Sequence, residues 1–120
     1  MNRDESDLQI QIVDLLEIYK VSRKIVFCAI PNELMGRAKS VAGLSRMKKF
    51  KRMGLRKGAS DLIITRLGKS YYLEVKDDDG VLSRDQRDFR ADVIDAGAEY
   101  ACAYSFEEAI DALKIWGIIP

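Results

Sequence analysis

Two short apolar segments, Asp61–Arg66 (DLIITR) and Tyr71–Asp77 (YYLEVKD), are separated by Leu67-Gly68-Lys69-Ser70. β-Branched and aromatic residues on both sides of a glycine-containing tetrapeptide predict an antiparallel hairpin. Every other element must extend this hairpin or cover a face of it. Lys24–Ile30 (KIVFCAI), stopped by Pro31, and Glu99–Tyr104 (EYACAY) read as two further strands. Leu8, Ile12, Leu15, Leu16 and Tyr19 recur at helical spacing, which predicts a helix over residues 5–20. Val41, Leu44, Met47 and Phe50 predict a basic helix over about residues 38–53. Ser83-Arg84-Asp85-Gln86 and Ser105-Phe106-Glu107-Glu108 have the form of capping boxes opening two more helices, the first ended by Gly97. The order α-β-α-β-β-α-β-α implies an α/β (α+β) fold, a mixed central sheet flanked by helices. The 120 residues contain no internal repeat, low-complexity tract or Pro/Gly/Ser-rich linker, so residues 1–120 are expected to form a single domain.

Composition removes whole classes of chemistry. The chain has no histidine, which excludes Ser-His-Asp and Cys-His nucleophiles and His-ligated zinc. Cys28 and Cys102 lie far apart, each inside an apolar run, and are expected to be free, buried thiols of a reducing cytoplasm. The polar start Met-Asn-Arg-Asp-Glu has no apolar signal region, and no apolar run is long enough to span a membrane. A cytoplasmic protein without membrane association is the expectation.

Within the hairpin, Glu74 and Lys76 are two apart on one strand and point to the same side. Their neighbours Tyr72, Leu73 and Val75 are those of a buried strand, where a charge must be paired or bind a ligand. With Gly68-Lys69 as a two-residue turn, Asp61 pairs with Lys76 and lies diagonal to Glu74, roughly 7–8 Å away between backbones. Two carboxylates so placed can converge on a hard divalent cation. A three-residue turn would send Asp61 to the other face. The alternative for the same residues is a cross-strand salt bridge of Asp61 with Lys76, leaving Glu74 solvated. The run Asp77-Asp78-Asp79-Gly80 lacks the ligand spacing of a calcium loop and reads as a solvated turn.

Asp61 followed by Glu74-x-Lys76 on the next strand resembles the PD-(D/E)XK nuclease signature, and the details resemble its VRR-NUC branch. The residues that carry the likeness are Glu5 before Leu8, Gly58-Ala59-Ser60-Asp61-Leu62, Glu74-Val75-Lys76, and Gly80-Val81-Leu82-Ser83-Arg84-Asp85-Gln86, with Pro31-Asn32 after the first strand. It extends over about residues 4–110. Ser60, where the family has proline, is the departure. The resemblance implies a restriction-endonuclease-like fold. It also implies a site in which Asp61 and Glu74 hold Mg²⁺ or Mn²⁺ with the Val75 carbonyl as a further ligand. Lys76 would orient or help deprotonate the attacking water and offset charge on the scissile phosphate. Gln86 would face the same cleft, or serve as the N3 residue of its capping box, or both. Glu5 would contribute to the metal site from the first helix, with Asp4 and Asp7 as register alternatives; an acid in a first helical turn is also favoured by the helix dipole alone.

The formal charge of +1 conceals a strong asymmetry. Arg37, Lys39, Arg46, Lys48, Lys49, Lys51, Arg52, Arg56 and Lys57 fall in one segment without a single acid, whereas the remainder holds 11 basic and 19 acidic residues. Such a block matches a phosphate backbone, and with Phe50 as its one aromatic it suits duplex or junction DNA better than stacked single strands. Small stand-alone proteins of the resembled family suggest a metal-dependent, structure-specific endodeoxyribonuclease acting on Holliday junctions as a homodimer, in a phage or bacterial cytoplasm. The alternatives are a nuclease of the same fold acting on flaps, nicks or plain duplex, or a non-catalytic nucleic-acid-binding domain. The apolar tail Ile115-Trp116-Gly117-Ile118-Ile119 would join the dimer interface or cap the core.

Overall fold

The structure, a computed structural model, describes residues 4–31 and 40–120. Its elements run α1 (Glu5–Tyr19), β1 (Ile25–Ala29), α2 (Val41–Arg52), β2 (Leu62–Arg66), β3 (Lys69–Val75), α3 (Arg84–Asp95), β4 (Glu99–Ala103) and α4 (Phe106–Ile115). The order matches the sequence expectation. The strands form one sheet in the order β1-β2-β3-β4. β1 and β3 flank β2 antiparallel, and β4 joins β3 in parallel, as the α3 crossover between them requires.

Each helix begins where a short polar side chain satisfies an otherwise unpaired amide. Asp4 caps α1 by accepting from the Ser6 amide at 2.8 Å, and Ser40 caps α2 from Gly43 at 3.0 Å. Ser83 and Gln86 form the full reciprocal box of α3. At α4 the box is incomplete. Ser105 accepts from the Glu108 amide, but the Glu108 carboxylate reaches back to Tyr104 instead of to the cap residue.

The β2–β3 turn consists of Leu67 and Gly68, with φ of 51° and 78°. Two positive φ values in a two-residue loop are what a type I′ hairpin needs, and glycine second in the pair meets half of that need without strain. The expected turn, Gly68-Lys69, is therefore displaced by one residue, and the register shifts by two. Leu62 pairs with Leu73 and Ile64 with Tyr71. The shift preserves which face each side chain occupies, because the side-chain period of a strand is two.

One face of the sheet carries the core. Leu62, Ile64, Leu73 and Val75 pack with Leu8, Ile12 and Leu16 of α1 and with Ala109 and Leu113 of α4. Ile118 and Ile119 are buried in the same cluster, and Trp116 lies 5.1 Å from Tyr71, ring to ring, so the tail caps the core. The opposite face is covered by α3, whose Phe89 meets Tyr72 and Tyr100 in edge-on contacts at 5.4 and 6.5 Å. Cys102 is half-buried and Cys28 is exposed, which corrects the expectation of two buried thiols. β1 is an edge strand whose Ile25 and Phe27 face the core, so the alternating residues Val26 and Cys28 point away from it. No helix among the described residues is long and apolar enough to cross a membrane.

Leu67 is 78% exposed and holds a left-handed conformation that costs an L-residue roughly 1–2 kcal/mol. Leu67→Asn, which tolerates this conformation and creates the preferred Asn-Gly turn, should raise the urea midpoint, with a gain of about 1 kcal/mol and an unchanged m-value.

Candidate active site

The register that the turn sets, continued one residue past the start of β2, places Asp61 directly opposite Glu74 and not opposite Lys76. Asp61 sits just before β2, its backbone carbonyl accepting from the Ile30 amide at 2.8 Å. Its carboxylate accepts from the Val75 amide at 2.7 Å, so a side chain continues the ladder where the strand backbone has stopped. The N–H and C=O of a strand residue point the same way, which directs the Val75 carbonyl toward the Asp61 side. Ser60, fully buried, donates to the Leu62 carbonyl at 3.0 Å. That bond ties down the start of β2.

Glu74 is 3% exposed. Gln86 donates to its Oε1 at 2.9 Å, while the Gln86 carbonyl oxygen accepts from the Ser83 amide at 2.8 Å. One glutamine thus caps α3 and holds the carboxylate. The other oxygen, Oε2, is buried without any hydrogen-bond partner among the described residues. Burial, followed by the negative charge of Asp61, pushes the Glu74 carboxyl up to about 8. Asp61 is raised as well, mainly by burial, with the Val75 amide opposing the rise. With its carboxyl pushed up to about 8, Glu74 keeps its proton at neutral pH, and in that form it shares a hydrogen bond with Asp61.

Lys76 follows β3, and its amide donates to the Ala103 carbonyl at 3.0 Å. Among the described residues it forms no ion pair, so the salt-bridge reading of Asp61 with Lys76 does not hold. Its aliphatic stem passes Gly80 so closely that a Cβ there would stand 3.0 Å from Cδ. Glu5 reaches the same end of the sheet from α1, accepting from the Asp77 amide at 3.3 Å. Of the other two first-helix acids, Asp4 caps α1 and Asp7 is exposed. No three His, Cys, Asp or Glu side chains among the described residues converge into a ready-made cation cage. The hairpin opposes two carboxylates, Asp61 and Glu74, at the end of the sheet that Glu5 also reaches.

Of the basic block, Arg37 and Lys39 lie outside the described residues. Arg46, Lys48, Lys49, Lys51 and Arg52 are exposed on α2, and none pairs with an acid among the described residues. Arg56 and Lys57 behave differently. Arg56 pairs with Asp92 of α3 at 2.6 Å and lies over the Phe89 ring, and Lys57 pairs with Asp85 at 3.8 Å. These two cations fasten the approach to β2 onto α3. Gly58, at φ 89°, completes the junction, since a Cβ there would fall 2.4 Å from the Asp85 carbonyl carbon. Sequence reasoning assigned Arg56 and Lys57 to nucleic acid alone; acids on α3 spaced seven apart, Asp85 and Asp92, were the available sign of a second role.

The VRR-NUC domain family model matches residues 3–107, and the chain belongs to that family. A solved structure described as a VRR_NUC domain protein shares the fold with a TM-score of 0.63 at 18% identity, over 95% of this chain and 88% of that one. The comparison with curated proteins gives no match. The family makes the chain a nuclease-type domain, a hydrolase whose implied substrate is DNA.

Because the Glu74 carboxyl titrates well above its ordinary value in the folded chain, folding favours its protonated form. Stability from this group is complete below about pH 4.5 and is lost as pH rises through about 8. In EDTA, the melting temperature of the wild type should therefore fall across that range, and Glu74→Gln should flatten the fall and melt higher at pH 8.

Proposed function

We propose that this chain is a divalent-metal-dependent endonuclease that hydrolyses phosphodiesters in branched DNA. The buried, unpartnered Oε2 of Glu74 opposite Asp61 is the observation that supports it most. A pure binding domain has no use for two acids held together at electrostatic cost. Asp61, Glu74 and the Val75 carbonyl would hold Mg²⁺ or Mn²⁺, with Glu5 reaching the same end of the sheet. Such a cation, when bound, neutralises the acid pair, polarises a phosphate oxygen and lowers the pKa of water, which removes any need for histidine.

The chain's own residues do the remaining work. Gln86 fixes the rotation of the Glu74 carboxylate through a bond to one oxygen and leaves the other free for a ligand. The Val75 amide does the same for Asp61. Lys76 forms no ion pair among the described residues and is adjacent, so its ammonium is available to offset charge on the scissile phosphate and to orient the attacking water. The five exposed cations of α2 have no acidic partner among the described residues, which leaves them for the phosphates of a duplex arm. A four-way junction presents two equivalent strands, so the proposed enzyme acts as a symmetric homodimer. Ile118 and Ile119 are committed to the core, whereas Ile115 of the same tail is 83% exposed and remains open to a dimer contact.

Labelled four-way junction, flap and linear duplex, incubated with Mg²⁺, Mn²⁺ or EDTA, test the reading. Cleavage that needs metal and prefers the junction is expected; absence of cleavage on all three would refute the enzyme. Asp61→Asn and Lys76→Ala should each lower kcat at least about 100-fold, with DNA affinity largely retained. Replacing Lys48, Lys51 and Arg52 by Ala should instead weaken binding and reduce the slope of log K against log salt by about 0.9 for every phosphate no longer neutralised.

A further inference from the structure

A groove of about 640 Å³ runs along one side of α2, away from the acid pair. Leu44, Met47, Lys48 and Lys51, spaced three or four apart, form its helical wall, and Leu55 and Lys57 complete it from the chain leading to β2. Asp85, which also lines it, is the acid that Lys57 already holds. The groove thus joins three apolar side chains to a set of ammonium groups. A phosphate backbone answers only the charges, whereas an acidic segment carrying an exposed apolar residue answers both. The chain itself displays such a segment. The turn between β3 and α3 presents Asp78 and Asp79 to solvent and, just beyond them, Val81 at 77% exposure. Val81 does not line the groove of its own chain, yet Asp85, four residues further on, does. Turn and groove therefore share one region of the surface, as an isologous two-fold contact requires. Charge points the same way. All the charges of α2 are positive, so two copies repel if they meet α2 to α2. A symmetric contact that includes α2 must set it against an acidic surface.

We propose that the turn carrying Asp78, Asp79 and Val81 docks in the α2 groove of a second copy of this chain, and the reverse. Val81 meets Leu44, Met47 and Leu55, while the two acids meet Lys48 and Lys51. The inference rests on the homodimeric nuclease reading and deepens it by naming the contact between the copies. Arg46, Lys49 and Arg52 of α2 do not line the groove and stay open to DNA phosphates. The turn follows Lys76 directly, so docking brings the partner's basic helix to the end of β3 where the candidate site lies. Each copy thereby holds DNA for the other's acid pair, and neither site is complete alone.

The test mixes Leu44→Cys protein with Val81→Cys protein, each in a Cys28→Ser background so that the exposed native thiol does not compete. Leu44 is 53% exposed and Val81 more so, which leaves the fold intact in both. Under mild oxidation the mixture should give a covalent dimer, and each variant alone about tenfold less of it. Without cross-linking, light scattering should show the wild type as a dimer. Val81→Asp should raise its dissociation constant about tenfold, and high salt should loosen it too. A wild-type dimer whose mixture gives no more cross-link than the single variants overturns the inference and leaves the nuclease reading standing. A wild type that stays monomeric at every concentration overturns the inference together with the homodimer. A cross-linked dimer that cuts no DNA in any metal supports the contact and overturns the nuclease.

Discussion

Asp61 and Glu74 face one another across the end of the β2–β3 hairpin at the cost of a carboxyl that stays protonated to about pH 8, and much of the molecule is arranged to hold them there. The ordinary remedies for such a pair are to hydrate it, separate it or give it a lysine partner. None is taken: Glu74 is buried, its second oxygen has no donor among the described residues, and Lys76 lies two residues too far along for the direct pairing. What compensates is fixed geometry from outside the pair. The Val75 amide grips Asp61, Gln86 grips Glu74, and the core beneath β2 and β3 anchors both strands. Removing one acid should relax the fold.

Several parts of the molecule act on this pair from a distance. α3 is the clearest case. Its first turn supplies Gln86, its Phe89 packs over Tyr72 and Tyr100, and its acids Asp85 and Asp92 hold Lys57 and Arg56. Gly58 lets the chain approach the helix closely enough for these contacts to form. The result is a closed circuit from the start of β2, through α3, to β3. The hydroxyl of Tyr100, buried without a partner among the described residues and pushed up by burial and by Glu74, lies on the same face and adds to the polar strain beneath the helix.

Much of this was legible in the sequence because it rests on local chemistry. Hydrophobic period, capping residues and glycine positions carried the element order, and the spacing of Asp61, Glu74, Lys76 and Gln86 carried the resemblance. What escaped depended on one-residue differences or on long-range contact. Gly68 can occupy either place in a two-residue turn, and only the left-handed backbone at Leu67 decides between them. Exposure of Cys28 follows from β1 lying at the sheet edge, which a strand's own composition does not reveal. Arg56 and Lys57 read as part of a uniform basic run until α3 is folded against them.

The tip of a β-hairpin is ordinarily where a chain tolerates added or lost residues most easily. Leu67-Gly68 is an exception because it works as a gauge. One extra residue there would turn Asp61 to the opposite face of the sheet, while a slip of two would set it against Lys76 in a comfortable ion pair. The second outcome keeps every apolar side chain on its proper face and quiets the electrostatic conflict, so neither solubility nor folding would betray it. This surface loop is therefore a place where drift could silence the site by making the protein more stable.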